Sequence, residues 1–423
     1  MSRKHPPRPN TRPAKNDFAK WIAGRVKAVS SYPSDYYGLD PIEERNARTK
    51  LGDTYRELVS RKVDVITMNV AVSYRHTSER VKEATKEALD EDLTFYEDDR
   101  GYLGLREALA WKMKTYNGLD VDPDQIIITN GSTQACFLAE MATLEAGDEV
   151  LHHDPGFSSN YQALRLIGAE PVAVPLDEKG GNRIVREDWE SRITPRTKAM
   201  WLINPNNPGG RVFTRKELSI LADIAIENDL LVFSDEVYDL TVFKPYRHVS
   251  IATLPGMAER TVITNSFSKI YAMPGWRLGY VVSPSVEFSG NLLHILTNST
   301  HCLNTFIQRG AEVAVREVER TRGDLEEDRR LRDAMYRRLM EIDGVFCLEP
   351  EGGSNCFPNI SRYFRSSTEC TQFLLEKAHV FVGSGNHFGR QGEGHVRMVF
   401  EANPLARTEQ AMGRVQDAFR ATS

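Results

Sequence analysis

Lys269 closes the run Ser266-Phe267-Ser268-Lys269, just past the apolar stretch 261–264, and Pro274-Gly275-Trp276-Arg277-Leu278-Gly279 follows it. A lysine held in a dry site at the end of a buried strand loses part of its ammonium character and can act as an amine nucleophile. A solvated surface lysine is the commoner fate of this residue type, but small hydroxyl neighbours and a nearby Pro-Gly-x-Arg favour the first reading. Arg277 offers a two-pronged guanidinium suited to a phosphate. Three more polar clusters punctuate the chain in the same manner. Asn130-Gly131-Ser132-Thr133-Gln134 follows IIIT (126–129) and opens a helical pattern. A helix N-terminus presents free N–H groups and the positive end of its dipole, which suits a phosphate. Ser132 and Thr133 read equally as an ordinary N-cap. Asn204-Pro205-Asn206-Asn207-Pro208-Gly209-Gly210 follows AMWLI (199–203). Its prolines and glycines make either a plain loop or a fixed turn that presents the Asn207 amide as a donor. Asp235-Glu236-Val237-Tyr238 follows LLVFS (230–234). An acid at the end of a buried apolar strand is costly unless paired; a cationic ring nitrogen would pair it, and a helix N-cap is the alternative use.

These clusters need elements to position them. From about residue 80 to 310, strand-like runs alternate with helical ones such as LSILADIAIEND (218–229). Such alternation implies an α/β fold with a mostly parallel sheet covered on both faces. Ligands bind beyond the carboxyl ends of strands in such a sheet, and each polar cluster falls just there. The last hundred residues differ: two long charged helices, about 310–342 and 404–421, flank short strands, as in a smaller α+β domain. The start differs again. Residues 1–16 are basic, Pro-rich and free of acids, and read as a disordered arm. Asp17 can cap a following helix in which Phe18, Trp21, Ile22, Val26 and Val29 recur at helical spacing. The expected division is an arm with its amphipathic helix over 1–64, a large domain over 81–314, and a small domain built from 65–80 and 315–423.

Composition bounds the reading. The 423 residues carry a net charge of −5 and 40% hydrophobic residues, as expected of a globular chain of two or three domains. A mildly acidic chain lacks the basic face that nucleic-acid backbones demand, so the expected partner is a small molecule. Five cysteines, with no C-x-x-C pair, read as reduced thiols and not as a disulfide framework or zinc site. No run of about eighteen apolar residues suggests a membrane span, and no secretory signal is apparent; a cytoplasmic location is expected. The pair His152-His153 lacks further ligands at a recognised spacing and reads as structural, so no metal is expected.

Taken together, the clusters resemble those of fold type I enzymes dependent on pyridoxal 5′-phosphate (PLP), in the class I/II aminotransferase family. The motifs run in family order over roughly residues 65 to 420. The resemblance implies a large domain with a mostly parallel seven-stranded sheet, a smaller α+β domain, and roles for individual residues. Lys269 matches the Schiff-base lysine. Asp235 matches the acid that keeps the pyridine nitrogen protonated, so that the ring acts as an electron sink. Tyr238 and Asn207 match the groups that hydrogen-bond the ring's phenolic oxygen, and Phe157, in Asp154-Pro155-Gly156-Phe157, an aromatic stacked on the ring. Gly131, Ser132, Thr133, Ser266, Ser268 and Arg277 match the phosphate cup. Tyr96, ahead of Gly101-Tyr102-Leu103-Gly104-Leu105-Arg106, matches a tyrosine that reaches the phosphate of a partner subunit, which implies a homodimer with shared sites. Arg397, in Gly394-His395-Val396-Arg397, matches the clamp on the substrate α-carboxylate. Transamination between an amino acid and a keto acid is the activity implied, with Lys269 as the base for the Cα proton.

The sequence also departs from that pattern. Where the family carries a Gly-x-Gly-Glu-Pro-like stretch over the substrate, this chain reads Asn69-Val70-Ala71-Val72-Ser73. Side chains such as Ala71 then stand where backbone normally approaches the ligand. A usual Pro-Gly is Ser384-Gly385, followed by Asn386-His387-Phe388, and Asn355 stands where an aromatic is common. An intact cofactor core with altered substrate contacts fits an aminotransferase of specialised substrate. It also fits a lyase, synthase or oxidase on the same scaffold, acting by elimination, γ-replacement or cyclisation. A ligand-sensing regulator is the remaining class, but the arm offers one amphipathic helix and no second recognition helix. Arg75 and Arg106 stand as candidates for a second carboxylate-binding arginine.

Overall fold

The computed structural model describes residues 41–157 and 159–422; the arm 1–16 and the helix expected from Asp17 through Val29 lie outside them. Seven strands form the central sheet: β1 (Ile126–Thr129), β2 (Glu149–Asp154), β3 (Glu170–Pro175), β4 (Thr197–Ile203), β5 (Leu231–Asp235), β6 (Thr261–Ser266) and β7 (Gly279–Val282). Their order is β1-β7-β6-β5-β4-β2-β3, and only β7 runs against its neighbours. All residues of β1, β2, β6 and β7 are buried. That is why these runs are continuously apolar or internally bonded and not alternating. His152 and His153 sit in β2 with no exposure, and His153 Nε2 accepts the Ile203 N–H at 3.1 Å.

Helices cover both faces. Arg215–Glu227 begins with a capping box in which Thr214 and Glu217 satisfy each other's backbone N–H groups. The charged stretch expected as one helix over 310–342 is instead three: Thr305–Arg316, Val318–Thr321 and Leu325–Met340. The break has a local cause. The Gly323 N–H leaves the helical ladder to bond the Ile270 carbonyl, and the Asp324 side chain then caps a new helix at the Glu326 and Glu327 N–H groups. The final helix, Leu405–Arg420, packs on Leu325–Met340 around Leu331, Met335, Leu339, Met412 and Phe419. Beside them lies a small antiparallel sheet of β8 (Asn355–Cys356), β9 (Gly383–Ser384) and β10 (Val396–Val399), in the order β9-β10-β8.

The helix Pro41–Ser60 was not legible in the sequence. It is strongly charged, and Leu51 and Leu58 reach Leu375 while Tyr55 meets Phe381 at 5.4 Å between ring centroids. After it, Ile66–Thr67 pairs in parallel with Val380–Phe381. This lays the segment 69–75 across the opening between the large sheet and the small one. Among the described residues no helix is long and apolar enough to cross a membrane.

Candidate active site

Because β1, β2, β4, β5 and β6 point the same way, the loops after them converge at one edge of the sheet. There a cavity of about 230 Å³ is lined by Ala71, Gly131, Ser132, Thr133, Phe157, Asn207, Asp235, Tyr238, Ser266, Ser268, Lys269, Arg277 and Arg397. Val70, Ile203 and Val237, none of them singled out from the sequence, add apolar walls.

One end of the cavity is built around the start of the helix Gly131–Thr143. Gly131 has φ +72°, and a Cβ there would stand 2.6 Å from Arg277 Nη2. Arg277 folds over this turn, donating to the Asn130 carbonyl at 3.4 Å and the Pro274 carbonyl at 3.0 Å. Gly279 at the head of β7 presses on the same turn, since its Cβ would fall 2.6 Å from the Ser132 N. The Ser266 hydroxyl donates to Ser268 Oγ at 2.8 Å and accepts the Ser268 N–H at 3.0 Å. Hydroxyls, helix-terminal amides and one guanidinium thus share a spot that suits a phosphate dianion.

At the other end lies Asp235, 4% exposed. It accepts from Asn160 Nδ2 at 2.9 Å and from the Val237 N–H at 3.2 Å. Burial pushes its carboxyl up to about 6, opposed by those donors. Tyr238 is fully enclosed, with its hydroxyl 3.0 Å from Ser354 Oγ, and burial raises its pKa to about 12. Asn207 Oδ1 accepts from Arg397 Nη1 and from Asn355 Nδ2, each at 3.4 Å, so the amide presents its Nδ2 on the other side.

Between these ends, the Lys269 ammonium donates to the Ala71 carbonyl. Desolvation lowers its pKa to about 8, with Glu401 working against the shift and Arg397 with it. Arg397 is 8% exposed and donates to the Asn69 carbonyl at 2.8 Å. Its guanidinium carbon lies 4.7 Å from the Phe388 ring centroid, and its Nε has no partner among the described residues. A buried cation bonded to carbonyls and a ring face alone is costly; an incoming carboxylate would relieve it.

Tyr96 is not in the cavity: it is 91% exposed, beside Phe95 at 80%. Neither candidate for a second carboxylate clamp is available. Arg106 is 3% exposed and consumed by Asp124 Oδ1 at 2.6 Å and by the Gly101 and Pro123 carbonyls. Arg75 is paired with Glu327 and Asp328. Asn160 and Ser354 escaped the sequence reading, and Phe388 was noted only as part of an altered stretch, without a role. Asn160 sits one turn past Phe157, a spacing that could have flagged it, whereas Ser354 arrives from a distant segment with no local signal.

A doubly wound sheet with a buried acid ending β5 and a desolvated lysine beyond β6 is the arrangement of a fold type I PLP enzyme. The chain belongs to the family described as aminotransferase class I and II, whose model matches residues 63–415. It is 39% identical over 361 residues to aromatic-amino-acid aminotransferase 2 of Thermococcus litoralis, covering 84% of this chain and 92% of that one. It is also 39% identical over 362 residues to an aspartate aminotransferase of Pyrococcus abyssi, with coverage of 84% and 92%. Among solved structures, an aromatic aminotransferase from Pyrococcus horikoshii OT3 superposes with a TM-score of 0.81 at 37% identity, covering 88% of this chain and 99% of that one. A single mutant of the Thermus thermophilus aspartate aminotransferase gives 0.84 at 30%, covering 94% and 99%. The protein is therefore a PLP-dependent aminotransferase, with an amino acid and a keto acid as substrates, and transamination is favoured over the lyase and synthase alternatives.

The cavity fits this cofactor. Its cationic, amide-rich end matches a phosphate, and the buried Asp235 faces only neutral donors, as a carboxylate awaiting a protonated ring nitrogen would.

Proposed function

We propose that Lys269 carries the cofactor and that Arg397 receives the α-carboxylate of an α-amino acid in the same cavity. The observation that carries this reading is the shared pocket of a desolvated amine and a buried guanidinium, neither held by a carboxylate. When bound, PLP supplies an electron sink that acidifies the substrate Cα–H. The chain's residues do the rest. Ser132, Thr133, Ser266, Ser268 and Arg277 anchor the phosphate, Phe157 covers the ring, and Asp235 holds a proton at the ring nitrogen. Tyr238 and Asn207 donate to the ring oxygen. Arg397 fixes the substrate so that Cα faces Lys269, whose neutral Nζ takes the Cα proton as general base. Val70 and Ala71 close the cavity and exclude water.

Rapid mixing with a panel of amino acids tests this, following cofactor absorbance and product mass together. The pyridoxamine form and a keto acid should appear in step for any good donor. Turnover that never produces the pyridoxamine form would overturn the reading.

We also infer that the protein works as a homodimer, with Tyr96 acting in the site of the partner subunit. The support is a phenol and a neighbouring phenyl ring held out in solvent, against the usual fate of large apolar side chains. The division into an arm (1–64), a small domain (65–80 and 315–423) and a large domain (81–314) belongs to the same proposal. It is supported by a hydrophobic cluster that joins Ile66 and Met68 to residues 331–419, to which the large domain contributes Phe243.

A further inference from the structure

The connection from β9 to β10, residues 385–395, leads straight into Arg397, and two acids from the large sheet grip it. Asp154 ends β2 and is buried. Its carboxylate accepts the Arg390 N–H at 3.0 Å and the Gln391 N–H at 3.2 Å. The fit is close: a Cβ on Gly389, whose φ is +120°, would fall 1.8 Å from Asp154 Oδ1. Two residues past Asp154, the Gly156 N–H donates to the Phe388 carbonyl at 2.7 Å. Glu178, beyond the end of β3, takes the other end of the connection. Its carboxylate meets His395 Nε2 at 2.9 Å and accepts from Asn359 Nδ2 at 2.9 Å.

Phe388 is where this grip reaches the site. Its buried ring stands edge-on to Phe357 at 5.8 Å between centroids, and Phe357 stacks on His395 at 4.8 Å. The Arg397 guanidinium lies over the Phe388 ring, 4.7 Å from its centroid, and a cation gains electrostatic attraction from such a face. Arg397 Nε has no hydrogen-bond partner among the described residues, so the ring is a large part of what aims this side chain. Burial pushes the Asp154 carboxyl up to about 7, and the Gln391 and Arg390 N–H groups work against that shift. A buried carboxylate is costly unless its hydrogen bonds are met, which holds the turn at 389–391 to Asp154. The loop that Asp154 begins also carries Phe157, so the proposed cover of the cofactor and the ring behind the carboxylate clamp share one anchor.

We propose that Asp154 is a positioning residue for the substrate carboxylate, acting on Arg397 through the 388–391 turn and the Phe388 ring. This rests on the reading of Arg397 as the group that receives the α-carboxylate. Asp154 itself does not line the cavity. Its grip keeps the guanidinium aimed before substrate arrives, so losing it weakens the binding of the one part that every amino acid shares.

The test is the single-turnover half-reaction of the holoenzyme with L-alanine, L-aspartate and L-phenylalanine, comparing wild type with Asp154→Asn. For every donor that reacts, the apparent dissociation constant should rise by about tenfold, the size of one lost charge-assisted hydrogen bond. The rate at saturation should stay within about twofold, because the chemistry is untouched. On a Phe388→Leu background the same substitution should cost less than about twofold more, since its route runs through that ring. Gly389→Ala pushes a methyl group into the Asp154 carboxylate and should give the same rise; it decides the matter alone if thermal melts show Asp154→Asn unfolded. Unchanged dissociation constants in the folded variant, a loss confined to one donor among those that react, or an equal loss with and without Phe388 would overturn the proposal. Arg397→Lys tests the underlying reading separately: dissociation constants that it leaves unchanged remove Arg397 as the clamp, whatever Asp154→Asn gives.

Discussion

The reactivity of Lys269 depends on keeping water away from one amine. Desolvation brings its pKa to about 8 from the ordinary 10.5, so the free amine is already a substantial fraction near neutral pH. We expect the rate at which the apoenzyme recaptures PLP to rise with pH and level off through about 8. Stopped-flow absorbance at several pH values reads this directly, and a rate still climbing toward pH 10 would mean that the site is wet. Asp235 shows the opposite side of the same arrangement. Its folded pKa of about 6 lies above the ordinary 3.8, so in the apoenzyme it favours the fold below pH 4 and loses that contribution as pH rises through 6. At pH 7 the buried, unpaired charge costs on the order of 1–3 kcal/mol. Asp235→Asn should therefore raise the melting temperature of the apoenzyme at pH 7 while abolishing activity; an apoenzyme made less stable by this change would contradict the account. Both residues were legible in the sequence because each stands directly after an apolar strand.

At the scale of elements, the turn 235–239 is the part that must not move, since it carries both Asp235 and Tyr238. Two buried acids within it hold it in place. Glu236 accepts from Ser250 Oγ at 2.6 Å, Ser234 Oγ at 3.1 Å and His248 Nε2 at 3.1 Å. Asp239 accepts from the buried Lys112 ammonium, from Asn117 Nδ2 at 2.9 Å and from Asn265 Nδ2 at 3.2 Å. Asn265 also accepts the Ser266 N–H at 2.7 Å, so the cofactor's two proposed ends are braced through one amide. Removing one partner of a fully buried pair strands the other charge. Lys112→Met should destabilise the protein by about 3–5 kcal/mol. Lys112→Met with Asp239→Leu should recover most of that loss, because no lone charge is then left. Urea melts of the three proteins decide the point, and a double variant no better than the single would show that packing, not charge, holds the turn. The sequence announced the strands and the turns that follow them, because burial of a parallel sheet writes itself as apolar runs. It did not announce the break at Gly323, where one long-range bond to Ile270 outweighs the helical pattern on either side. It marked the strap over 69–73 only through the resemblance, and expected side chains, not backbone, to meet the ligand there. Its unusual side chains leave the work to backbone: the Asn69 carbonyl holds Arg397 and the Ala71 carbonyl holds Lys269.

At the scale of the molecule, the cavity of one subunit contains the proposed lysine, acid and carboxylate clamp, yet Tyr96 stands in solvent with 91% of its surface exposed. In a closed two-fold dimer the same patch on each copy faces the other, so a residue that cannot serve its own site can serve its neighbour's. This makes a sharp expectation for mixtures. Lys269→Ala destroys its own subunit's site but still offers an intact Tyr96. Tyr96→Glu keeps Lys269 but sets a negative charge where the partner's phosphate would lie, which repels it. Neither homodimer has a sound site. In a mixed dimer, one site combines both defects and the other combines neither. Mixing equal amounts under conditions that exchange subunits should therefore restore about a quarter of wild-type activity, since about half of the dimers are mixed and each has one good site of two. Activity that stays at the sum of the separate variants would place Tyr96 outside the partner's site. Sedimentation of the same samples shows whether subunits had exchanged into dimers at all, and a fully active wild-type monomer would remove the shared site altogether.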